Sequence, residues 1–82
     1  MNTQIVTEWA LIHRLNRKLW PEDRLVKKTR GARSLLNLGP YYVLDWRRNL
    51  ILQYRLTLGN LEAMGHEEGV LADYEKVTEG AA

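Results

Sequence analysis

Eighty-two residues suffice for one domain and no more. With 45% hydrophobic and 27% charged residues the chain is too apolar for disorder, and the absence of cysteine excludes a disulfide framework, a Cys-based zinc or iron–sulfur site and a thiol nucleophile. No apolar run approaches the roughly 18–20 residues of a membrane helix and no signal-peptide pattern follows Met1, so the expectation is a cytoplasmic protein of a bacterium or its virus, with no membrane partner.

The first element reads as a helix from about Gln4 to Trp20. Ile5, Trp9, Ile12, Leu15 and Leu19 recur at spacings of three and four, with Asn16 inside the stripe. Thr3 is the expected N-cap, and Pro21 ends the helix because the residue before proline is pushed out of helical geometry. Asn16, on an apolar face, either bonds backbone in the 22–40 segment or sits at the exposed margin of the stripe. Arg24–Arg30 reads as an edge strand whose cations discourage sheet-to-sheet pairing. Gly31 breaks it, and Ala32–Leu38 forms one or two helical turns closed by Gly39-Pro40.

Tyr41–Leu56 carries the clearest β pattern. A three-residue loop at 47–49, with Asn49 left-handed, sets Trp46 opposite Leu50, Leu44 opposite Leu52 and Tyr42 opposite Tyr54. One face is then apolar or aromatic (Tyr42, Leu44, Trp46, Leu50, Leu52, Tyr54, Leu56) and is assigned to the core. The other holds Tyr41, Val43, Asp45, Ile51, Gln53 and Arg55. Thr57 caps a helix running to about Glu68; Gly69 is its C′ residue, and Val70-Leu71 fold back onto it. The ordered core spans about 4–71, and an acidic tail occupies 72–82.

These elements specify a single α+β domain in α-β-β-β-α order, an antiparallel sheet with two helices on one face. Double-stranded-RNA-binding domains share that order, but they place a Lys-rich motif at the start of the last helix, where this chain has Thr57-Leu58-Gly59-Asn60. Arg30-Gly31-Ala32-Arg33, Gly39-Pro40-Tyr41-Tyr42-Val43-Leu44-Asp45 and Leu61-Glu62-Ala63-Met64 also resemble an R-G-x-R, G-x-Y-Y-x-x-D, L-E-x-L pattern of small bacterial proteins. That resemblance implies the hairpin and last helix as fixed features and no particular activity.

Catalytic and metal-binding signatures are missing. Ser34 is the sole serine, no phosphate-cradling glycine motif occurs, and His66 with Glu62, Glu67 and Glu68 falls short of a zinc ligand set. The expectation is a non-enzymatic protein without cofactor or metal. Two binding readings remain. The net charge of +2 conceals an asymmetry: residues 1–55 carry eleven Lys/Arg against four acids, a net +7, and residues 56–82 carry Lys76 against six acids, a net −5. The first reading is protein interaction, with a second copy among the candidate partners, through the outer sheet face, where Tyr41, Val43, Ile51, Gln53 and Arg55 resemble an interface more than a solvated surface. The alternative is nucleic-acid binding, with Arg24, Lys27, Lys28, Arg30 and Arg33 and the hairpin-tip Arg47 and Arg48 on phosphates.

Overall fold

The computed structural model describes residues 4–73 and 75–78. Thr7, rather than Thr3, caps the first helix: its hydroxyl accepts from the Ala10 N–H at 3.1 Å, and α1 runs Glu8–Leu19. The four residues before it form β1 (Gln4–Thr7), so Ile5 lies on a strand and is 70% exposed while Val6 is buried. The buried stripe of α1 is Leu11, Leu15 and Leu19, which recur every fourth residue, and Trp9 lies outside it, 69% exposed. A short 3-10 turn at Trp20–Glu22 follows, with Pro21 at its start and Asp23 in the left-handed region at φ 65°.

β2 (Arg24–Lys28), α2 (Ala32–Leu38) and β3 (Tyr41–Asp45) lie where the sequence places them. β4 spans Leu50–Leu56, α3 spans Leu58–Glu67, and β5 spans Glu75–Thr78. The domain is thus α+β, with an antiparallel three-stranded sheet ordered β2-β3-β4. A separate parallel pair joins β1 to β5, with Val6 opposite Val77, so part of the segment expected to fray is a strand. Two side chains hold it. Glu62 accepts from the Val77 N–H at 2.9 Å, and Glu75 accepts from the Ala72 N–H at 2.9 Å and from Arg14 at 3.1 Å.

α3 begins with the expected cap, made reciprocal: Thr57 accepts from the Asn60 N–H while the Asn60 side chain accepts from the Thr57 N–H at 2.8 Å. It ends at Gly69, where φ is 75°. The Val70 and Leu71 N–H groups both turn back to the Gly65 carbonyl, and Leu71 is buried. Gly65 permits the closest approach in the core, since a Cβ there would lie 2.7 Å from a Leu71 methyl and 2.9 Å from a Leu11 methyl.

Asn16 joins α1 to the sheet. Its oxygen accepts from the Val26 N–H at 2.7 Å and its amide donates to the Val26 carbonyl at 3.1 Å, so of its two expected placements the backbone-bonded one holds. Val26 opposes Val43 across the β2–β3 ladder, and both are buried with Tyr41 against Leu11, Leu15, Leu19 and Leu61.

The hairpin is where expectation and structure diverge. Its loop has four residues, 46–49, with Asp45 opposite Leu50 and Leu44 opposite Ile51. Asn49 is left-handed at φ 56°, as expected, and the Asp45 carboxylate accepts from the Arg47 and Arg48 N–H groups to tighten the turn. Leu52 then sits at a register shift, because Val43 pairs with Gln53. A second irregularity follows between Val43 and Tyr41, whose partner is Leu56, and Arg55 there is left-handed at φ 58°. One extra loop residue moves the register by one and exchanges the faces of a strand. The core face of β3 is Tyr41 and Val43, not Tyr42 and Leu44, because Val43 opposes the buried Val26, and Leu52 and Tyr54 are about half exposed.

Three outcomes follow. Leu11→Ala should cost about 2–5 kcal/mol in denaturant unfolding, whereas Leu52→Ala should fall within about 0.5 kcal/mol of the parent; the reverse ranking would restore the face assignment read from alternation. Asn16→Leu should lose about 1–3 kcal/mol, because it strands the Val26 N–H and carbonyl; a rise in melting temperature would remove the clasp from the account. The third concerns acid. The Ala72 N–H chiefly, and Arg14 in addition, hold the Glu75 carboxyl below its ordinary value of 4.5 against the opposing effect of burial. A carboxyl depressed by folding stabilises above its ordinary value, and that contribution disappears as pH falls through the lowered one. Glu75→Gln should accordingly flatten the acid limb of a melting-temperature profile below pH 4.5, and an unchanged limb would place the acid sensitivity elsewhere.

Candidate functional site

Because Val26, Tyr41 and Val43 point inward, alternation turns the neighbouring residues of β2 and β3 outward. Cross-strand pairing then lines up Leu25, Leu44 and Ile51 in one row and Lys27 with Tyr42 in the next. The outer face is thus more apolar than the one anticipated. Ile51 is 46% exposed, and Leu50, Leu52 and Tyr54 on the same strand are exposed with it. No cation or proline lies among Leu50–Tyr54, the usual means of blunting an edge strand; the two register shifts are the feature that disturbs it.

The five residues assigned to the outer face therefore separate. Tyr41 and Val43 are buried in the core, contrary to that assignment, because Val43 opposes the buried Val26 and packs with it against Leu11, Leu15, Leu19 and Leu61. Gln53 opposes Val43 and lines a cleft of about 380 Å³ between the sheet and α3, together with Arg24, Glu67 and Glu68. Arg55 is exposed, its guanidinium 5.8 Å from the Tyr54 ring centroid. Ile51 alone is both exposed and in the outward row.

At the hairpin end, Trp20 and Trp46 stack with centroids 4.5 Å apart and planes inclined by 19°, and the Arg47 guanidinium lies 5.8 Å from the Trp46 ring. The Trp46 N–H joins the Asp23 carbonyl at 2.9 Å, which carries the β2–β3 ladder past the strand ends. Stacking explains why a loop residue as large as Trp46 is only part exposed.

The seven basic residues considered for nucleic acid divide between the two ends of β2. At the hairpin end Arg24 pairs with Glu22, and Arg47 pairs with Asp23 at 3.0 Å. At the opposite end Lys28 pairs with Glu8 at 2.9 Å. Lys27, Arg30, Arg33 and Arg48 form no ion pair among the described residues. Two clefts open beside this second cluster. One, of about 490 Å³, is bounded by Lys27, Thr29, Arg30, Ser34 and Tyr42; the other, of about 580 Å³, by Glu8, Trp9, Ile12, His13 and Arg30. Lys28 and Arg30 line both.

Trp9, His13 and Tyr42 are the residues that sequence reasoning did not bring to this place. The available signal was Trp9 and His13 one helical turn apart, which sets their rings side by side at 3.9 Å between centroids. Among the described residues no three His, Asp or Glu side chains cluster as metal ligands would, and no helix is long and apolar enough to cross a membrane. Comparison with protein-family models, with curated proteins and with solved structures found no match for this chain.

Proposed function

We propose that this chain is a non-catalytic interaction module that works in the cytoplasm and pairs with a second copy of itself through the outer face of its sheet. On this reading α1 and α3 cover one face of the three-stranded sheet, and the partner copy covers the other. A single observation supports it: the outward row runs Leu25, Leu44, Ile51, and Ile51, Leu52 at the register shift and Tyr54 are about half exposed. Apolar side chains exposed together on one face of a sheet mark an interaction surface more often than a solvated one.

A second copy fits better than an unlike partner because the row itself carries no formal charge. A face presented to its own image must keep like charges apart, and Lys27 lies in the row beside Leu25, Leu44 and Ile51 rather than within it. The contact is face to face rather than by strand addition. Register shifts at Leu52 and Tyr54–Arg55 interrupt the free edge that a further strand would need. Tyr54, with an apolar body and a polar hydroxyl, suits the rim of such a patch.

Light scattering across a concentration series tests the reading. The parent should approach twice the chain mass, and Ile51→Glu should return it to the monomer with an unchanged far-ultraviolet spectrum. A parent that stays monomeric, or a variant that stays dimeric, removes the proposal.

A further inference from the structure

Two clefts share Lys28 and Arg30 at the end of β2 remote from the hairpin tip, the Trp9 cleft beside α1 and the Tyr42 cleft on the outer side of the sheet, and together they offer a groove around that end. We infer that this groove binds single-stranded nucleic acid. Non-specific recognition of a single strand needs cations that track the backbone, and aromatic faces on which unstacked bases rest. Both are present in alternation: Trp9 and His13 at one end, Lys28 and Arg30 at the centre, Lys27 and Tyr42 at the other.

Trp9 is 69% exposed, yet the His13 ring 3.9 Å away braces it. An indole held outward offers a stacking face at lower ordering cost than a free one. Glu8 is the acid in the groove wall, and Lys28 neutralises it at 2.9 Å. Lys27 and Arg30 form no ion pair among the described residues, so their charge is available to phosphate. The Thr29 hydroxyl lies in the wall, buried and without a hydrogen-bond partner among the described residues, and Ser34 faces the same space. Glu67 and Glu68 line the cleft under α3 instead, away from this track. Arg24 and Arg47, engaged with Glu22 and Asp23, are not part of it. A duplex is the poorer ligand, since its bases are already stacked and present no face to Trp9.

The inference does not rest on self-association, although Lys27 and Tyr42 sit on the outer face in the row beside Leu25, Leu44 and Ile51, and the test keeps the two apart. Fluorescence anisotropy would follow a labelled short oligothymidylate, and its duplex with oligoadenylate, at low and moderate salt. The single strand should bind at least about tenfold more tightly than the duplex. Its log–log salt slope should lie near −1.5 to −2, as two or three neutralised phosphates give at roughly 0.7 each. Trp9→Ala should weaken binding about fivefold or more, the low end for one stacked base, and Trp9→Phe should retain most of it. Arg30→Glu should reduce both affinity and slope, and Ile51→Glu should change neither. The inference fails if low salt yields no binding or if the duplex binds as well. It fails equally if Trp9→Ala is silent, or if polyglutamate binds as tightly as the oligonucleotide, which would mark a site for acidic protein.

Discussion

Asn16 bonds both the N–H and the carbonyl of Val26, and much of the molecule follows from that clasp. β2 is an edge of the sheet, and a bare edge invites another strand. A carboxamide has the donor and acceptor of a peptide group, so Asn16 takes the place of a neighbouring strand for one residue. It also sets the rotation of α1. With Asn16 aimed at the edge, Leu15 and Leu19 lie over the sheet, and the Val26 side chain is enclosed beneath them. Val43 opposes Val26 and goes inward with it, followed by Tyr41 two residues earlier on the same strand. The outward placement of Leu25, Tyr42 and Leu44 is the remaining consequence, and it is the origin of the surface on which the proposed self-association rests.

Features governed by neighbours in the chain were legible in the amino-acid sequence. Thr57 at the start of α3, Gly69 at its end, Asn49 in the hairpin loop and Gly39-Pro40 after α2 each answer a local steric or hydrogen-bonding demand, and each stands where that demand predicted. Asn16 was legible in part: a lone amide among leucines either finds a partner or lies at the margin of the stripe, and the adjoining strand supplies the partner. The face of the hairpin was not legible. Alternation shows which residues share a side, while the choice between two apolar-rich sides is made by packing into the common core. A three-residue and a four-residue loop serve the same ends, and the shift at Leu52 breaks the pattern from which register was inferred. β1 was concealed because Ile5 and Trp9 are four apart, a spacing that a helix would also produce.

Charge was legible in amount but not in disposition. The basic run from Arg24 to Arg33 looks continuous, yet acids that sit close only in the fold, Glu8 beside Lys28 and Asp23 beside Arg47, cancel some members and leave others. Turn geometry places Arg24 and Lys28 at opposite ends of one five-residue strand. What had the form of one patch is two, of unlike electrostatic character, and Lys27, Arg30 and Arg33, which form no ion pair among the described residues, belong to the end beside Trp9 and Tyr42, against Arg48 alone at the hairpin end.

The parallel pairing of β1 with β5 bears on the order of folding. Gln4 meets Glu75 across a separation of 71 residues, whereas β2, β3 and β4 find one another through short connections. Loop-closure entropy makes the distant contact the slower to nucleate, and four-residue strands repay little of it until a core exists to receive Val6. The sheet and its two long helices therefore assemble first, and the strand pair closes the structure last. By the same ordering it is the first part to open, a local excursion that releases Glu75 from Arg14 while Asn16 still holds Val26.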